Sequence, residues 1–181
     1  NALVCGYTIP NIVELLSDPL KGMIEPRFYW EATVTVATLH LYHLLFYKCR
    51  LDEWVHHLLF AFGGIVTGLF VNYGQSADLF EFFVCGLPGG IDYLLLALVK
   101  EGLVTKKHRL RWALELNMWV RSPGIVFSWT FCVIWLIYRP TKDITHILCF
   151  LMSTVASLIN SQYYARQVAM HAGKAFLIPL Q

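Results

Sequence analysis

Charge is scarce in this chain. Acidic and basic residues make up 14% of its 181 positions, against roughly a quarter in soluble domains, which leaves too little polar surface to cover a water-soluble fold. The basic residues lie in short loops and the net charge is only +2, so the clustered cationic surface that nucleic-acid binding requires is missing. The five cysteines, Cys5, Cys49, Cys85, Cys132 and Cys149, are odd in number and contain no C-x-x-C pair. That excludes a disulfide framework and a thiolate zinc site, and leaves most of them as small apolar fillers. No low-complexity tract, internal repeat or soluble domain is present. The chain opens on Asn1 without a basic stretch ahead of an apolar core, so it is expected to be processed or to lack its true beginning, an upstream helix included.

What the chain has is apolar length. Hydrophobic residues are 57% of the sequence and aromatics 15%, with a mean hydropathy of +0.54. Five stretches read as membrane spans of about 20 residues: Trp30 to Tyr47, Trp54 to Tyr73, Leu79 to Val99, Trp112 to Tyr138 and Ile144 to Ala165. Trp30, Trp54, Trp112, Tyr73 and Tyr138 fall at their ends, where amphipathic rings favour the headgroup region. The fold class is therefore all-α, a polytopic transmembrane bundle or barrel. Residues 1–27, with Pro10, Pro19 and Pro26, read as an interfacial lead-in, 28–166 as the transmembrane domain and 167–181 as a C-terminal tail.

Alternating spans place Lys48, Arg50, Lys100, Lys106, Lys107, Arg109, Arg111, Arg166 and Lys174 on one face and Lys21, Arg27, Arg139 and Lys142 on the other. The more basic face is expected to be cytosolic, or the matrix or stromal side of an organelle. The helical rise then gives depths. His43 and His40 lie about 7 and 12 Å inside the basic face, counted from Lys48, and Asp92, Arg121 and Asn160 lie roughly 9 to 15 Å inside it. His56 and His57 enter from the same face, at the head of an apolar run. Ionisable groups at such depth face the bundle interior, because exposure to lipid costs several kcal/mol. A polar chamber opening toward the basic face follows. Leu87-Pro88-Gly89-Gly90 interrupts the third span and is expected to kink or unwind it beside the chamber, since proline removes a backbone hydrogen bond and glycine loosens the next turn. Ser122-Pro123-Gly124 repeats the pattern after Arg121.

The residues Asp52-Glu53-Trp54-Val55-His56-His57, then Gly64 to Gly68, then Gly86-Leu87-Pro88-Gly89-Gly90-Ile91-Asp92-Tyr93 and the later Arg121 resemble the TLC-domain family, which includes ceramide synthases and translocating-chain-associated membrane proteins. The resemblance runs from about Pro26 to Ala165. It implies a helical barrel with a central cavity and, in ceramide synthases, acyl transfer by a histidine within it. Ceramide synthases follow their paired histidines with an acidic stretch containing a His-Asp pair, and residues 72–78 here have none, so the chain is not expected to be a ceramide synthase proper. Many relatives carry an acid where this chain has His43.

The candidate catalytic pair is His57 with Asp92, and the candidate cavity-lining or lipid-binding residues are His40, His43, His56, Arg121 and Asn160. A nucleophilic or basic His57 needs one neutral nitrogen toward the cavity and a partner for the other, with Asp92 or His43 nearest by depth. Each candidate also has a plainer reading. His56 and His57 fit interfacial histidines bonded to a carbonyl or to Asp92; His40 and His43 fit a helix-packing contact; Asp92 and Arg121 fit a buried ion pair fixing helix register. Asn160, with Gln162, Tyr163 and Tyr164, fits a cavity wall or a helix end. No metal is expected, because oxygen-activating lipid enzymes use more ligands, with carboxylates among them; acyl-CoA or a bound lipid is the only cofactor-like molecule implied. Two functions stay open: a protein that binds or handles an acyl chain or sphingolipid-type lipid, and a non-catalytic accessory subunit of a larger membrane complex. Membrane lipids, and in the second case membrane proteins, are the expected partners, in the endoplasmic reticulum or another endomembrane, or in an organellar inner membrane.

Overall fold

The computed structural model describes residues 1–24, 30–70, 74–138 and 143–177, and side chains throughout these except at 59–61, 68–70 and 175–177. The expected span end Tyr73, and Pro26, Arg27, Arg139 and Lys142, lie outside the described residues. Every described element is helical. In chain order they are α1 (Ala2–Ser17), α2 (Pro19–Ile24), α3 (Trp30–Phe46), α4 (51–70), α5 (Ser76–Lys100), α6 (Lys106–Tyr138) and α7 (144–177).

Local chemistry sets the helix ends. The Thr105 hydroxyl accepts the His108 amide at 3.2 Å to open α6, and the Asp143 carboxylate accepts the Thr145 amide at 3.0 Å to open α7. That bond holds the exposed Asp143 carboxyl below its usual range. At the head of α4 the Glu53 carboxylate takes the Arg50 amide at 2.7 Å. Gly102, at φ +72, closes α5 in the left-handed conformation that side chains rarely adopt.

Among the described residues three helices are long and apolar enough to cross a membrane: Ser76–Lys100, Lys106–Tyr138 and Ile144–Lys174. The surface agrees, since Trp119, Ile137, Leu148 and Ile159 are each more than half exposed while Thr8, Gln75, Ser76 and Ser128 are fully buried. Large apolar side chains facing out and polar side chains facing in is the arrangement that lipid favours. This is a membrane protein.

Helix contacts run from α3 to α4, α4 to α7, α7 to α6, α6 to α5 and α5 back to α3, so five helices close into a ring. The opening segment does more than lead into it: α1 packs on α3 and α5, with Val4 and Leu15 fully buried. Leu15 and Met23 share a core with Leu79, Phe131, Cys132, Trp135 and Phe150.

The distortion near Pro88 differs from the expected unwinding. Leu87–Lys100 is helical through the Pro-Gly-Gly sequence, and the irregularity is a widened π turn just before it, Phe82–Gly86. Proline at 88 has no N–H for the carbonyl four residues earlier, and a wider turn upstream accommodates that loss. The same device recurs at His56–Phe62 in α4, Asn117–Arg121 in α6 and Leu151–Val155 in α7. In α7 the hydroxyls of Ser153 and Thr154 bond the carbonyls of Cys149 and Phe150 at 2.9 and 2.6 Å, competition with the backbone ladder that loosens a helix.

Candidate functional site: a histidine-lined chamber

The ring encloses a cavity of about 700 Å³, within the usual range for small-molecule sites. All four widened turns reach its wall, through His56 and His57, Cys85, Arg121, and Ser153 with Thr154. A widened turn advances less per residue than an α-turn, so adjacent residues such as His56 and His57 share one side more readily. Tyr47, Lys48 and Glu53 line the end formed by the α3–α4 turn, and Thr33, Ala77 and Glu81 the opposite end.

The histidines form one connected cluster. His40 Nδ1 and His57 Nδ1 are 2.9 Å apart, so one donates to the other. Both are buried, each about 8% exposed. His43 Nδ1 donates to the Leu39 carbonyl at 2.8 Å, which leaves Nε2 to accept the Tyr93 hydroxyl at 2.6 Å. Its ring stacks on His57, with centroids 5.7 Å apart and planes 16° apart. His56 Nδ1 meets the Asn160 side-chain amide at about 3 Å, and the Tyr164 ring packs edge-on against it at 4.7 Å. His40 Nε2 is 3.8 Å from Cys85 Sγ.

His40, His43, His56, His57, Arg121 and Asn160 all line the chamber. Asp92 does not. Its carboxylate is held by Arg109 in a two-pronged pair, Nε to Oδ1 at 3.0 Å and a terminal nitrogen to Oδ2 at 2.8 Å. The expected Asp92–Arg121 ion pair and the expected Asp92–His57 catalytic pair are therefore both corrected: the partner of His57 is His40, and Asp92 ties the two arms of the α5–α6 hairpin together. The signal was present in the spacing, since Asp92 and Arg109 lie at similar distances on either side of the turn at Gly102. Arg109→Ala should lower thermal stability by about 1 kcal/mol, because a half-buried carboxylate loses a bidentate partner. Asp92→Asn in the same chain should recover part of that loss. An Arg109→Ala protein as stable as the parent would show that the pair contributes nothing.

Among the described residues the Arg121 guanidinium donates to Asn117 Oδ1 at 3.0 Å, and its buried Nε has no hydrogen-bond partner. The residue lines the cavity wall. At the other end Glu81 Oε1 accepts the Thr33 hydroxyl at 2.6 Å, while its buried Oε2 has no hydrogen-bond partner among the described residues. Next to it, Asn11 donates to Asp78 at 3.2 Å. Glu81 and Tyr93 escaped the sequence reading, although a lone acid inside Leu79-Phe80-Glu81-Phe82-Phe83 is the kind of intramembrane charge that marks an interior surface.

Compared with known protein families, curated proteins and solved structures, the chain matches none. The site's meaning rests on its own geometry.

Proposed function

We propose that the chain is a TLC-like integral membrane protein that takes a lipid, of acyl-chain or sphingolipid type, into this chamber from the more basic face. One observation supports the reading: a cavity inside the ring of helices, with Val36, Ile65, Phe80 and Val84 among its apolar lining and polar groups from Thr33 and Glu81 to Tyr47 and Lys48. From Thr33 to Tyr47 it extends about 21 Å along α3 at the helical rise, comparable with an extended long acyl group. The histidine cluster and Arg121 suit a carbonyl, ester or phosphate head, with Arg121 donating to its oxygen. In this reading α3 and α4 complete a set of five spans with the three apolar helices, and the widened turn before Pro88 is the local form of the helix break. The membrane is an endomembrane or an organellar inner membrane.

Purification in mild detergent followed by mass spectrometry of bound lipid tests this. The parent chain should carry lipid in near-stoichiometric amount. Ile65→Trp, which fills the apolar wall, should cut occupancy about tenfold, equivalent to 1.4 kcal/mol of binding, at unchanged thermal stability. A chain free of lipid but isolated with a stoichiometric membrane-protein partner would overturn the lipid reading in favour of an accessory subunit.

A further inference from the structure

His40 and the adjacent pair His56 and His57, which lie on successive helices, meet at one point in the fold. His40 comes from α3 and the neighbouring pair His56 and His57 from the widened turn of α4, and a ring nitrogen from each lies within 4.8 Å of the other two. We propose that these three imidazoles form a binding site for a divalent ion of the zinc type, a property that goes beyond the lipid reading and does not depend on it.

The donor chemistry fits. Neutral imidazole nitrogen is a preferred zinc ligand, and three histidines with an open fourth position is an established coordination pattern. The 2.9 Å between the Nδ1 atoms of His40 and His57 needs to open to only about 3.3 Å for a tetrahedral ion with bonds of roughly 2.0–2.1 Å. The ion takes the place of the proton the two nitrogens share. Metal-bound histidines usually have the second ring nitrogen held by a hydrogen bond, which fixes the tautomer. Two of the three have such a partner in place. Asn160 meets His56 Nδ1 and leaves Nε2 for the ion, and Cys85 Sγ, 3.8 Å from His40 Nε2, stands where that nitrogen's proton must go once Nδ1 is a ligand. Glu53, on the same cavity wall, supplies negative charge at the mouth. In sequence the absence of a carboxylate companion argued against a metal; in the fold, convergence of three imidazoles replaces it. The fourth position opens on the chamber, where water or the oxygen of a bound molecule completes the coordination.

The purified full chain, stripped with chelator, reloaded with zinc chloride and exchanged into metal-free buffer, should retain about one zinc per chain by elemental analysis. His40→Gln, His56→Gln and His57→Gln should each bring retention to background, and Asn160→Leu should weaken zinc affinity about 10- to 100-fold. His171→Gln, on an exposed part of α7, should keep the full amount. Should a ligand variant fail to fold, the parent chain decides alone: cobalt chloride should give the intense visible absorption of four-coordinate cobalt, abolished by chelator and by excess zinc. A parent chain that retains no zinc, a weak six-coordinate cobalt spectrum, or zinc content unmoved by the histidine variants would overturn the proposal. Lipid content measured in the same samples reports on the lipid reading separately.

Discussion

Replacing His57 by alanine or by glutamine is expected to reduce any acyl-CoA consumption by the protein 100- to 10,000-fold, the range that loss of a positioned acid or base produces. The argument starts from tautomers. If His57 donates its Nδ1 proton to His40 across their 2.9 Å contact, its Nε2 is an unprotonated nitrogen on a buried cavity wall. Stacking on His43, itself fixed by Leu39 and Tyr93, holds the ring in place. Glutamine keeps a polar group of similar reach for His40 but cannot exchange a proton. An acyl-transfer role for His57 thus predicts that both variants lose turnover while the glutamine variant keeps its stability. A purely structural role predicts a different split. Alanine leaves the buried His40 nitrogen unpaired and lowers stability by about 1–3 kcal/mol, and glutamine is nearly neutral. Thermal stability, acyl-CoA consumption and partner association, measured on both variants and the parent, separate the two. Parent protein that consumes no acyl-CoA, beside a glutamine variant that assembles normally with a partner, would remove the enzyme and leave a scaffold. Zinc held at His57 Nδ1 would put that ring's proton on Nε2 and block this role, so acyl-CoA consumption is measured on chelator-stripped protein and compared with the zinc-loaded form.

The chamber was legible because depth is legible. A fixed rise per residue, counted from basic residues at a membrane face, puts His40, His43, Arg121 and Asn160 in one layer, and all four line the cavity. Direction around a helix was not legible to the same degree. Asp92 has the right depth, yet its side chain turns toward the basic start of α6, where Arg109 waits. The four π turns among the described residues add to the difficulty, since each resets the angular phase of every later residue in its helix, and hydrogen bonds that sequence does not display decide where such turns fall. Glu81 is hard to read for a related reason: it lies beside Thr33 near the other end, far from the basic residues that calibrate depth. The prolines of the opening segment do not keep it from being helical. Pro10 sits inside α1 without ending it, and α1 contributes to the core through tertiary contacts that outweigh local propensity.

Gly124→Ala is expected to destabilise the protein by about 1–3 kcal/mol, the usual cost of forcing a methyl group into a filled interior. A Cβ at 124 would overlap the ring of Phe83 on α5, so the absence of a side chain is what lets α5 and α6 approach there, as small residues do between membrane helices. Phe83 packs in turn against the core around Leu79 and Phe131 and meets Phe82 edge-on at 5.1 Å, so its ring cannot move aside without disturbing those neighbours. The contact also sets the chamber, because Gly124 lies one turn beyond Arg121 and Phe83 is two residues from both Glu81 and Cys85. Pushing the helices apart displaces Arg121 and Cys85, both on the chamber wall. Gly124→Ala should therefore reduce lipid occupancy as well as thermal stability. Phe83→Leu, mild alone, should restore both when combined with Gly124→Ala, giving a favourable coupling in a double-mutant cycle. Additive effects of the two substitutions would show that the ring and the glycine do not meet, and that another contact spaces α5 from α6.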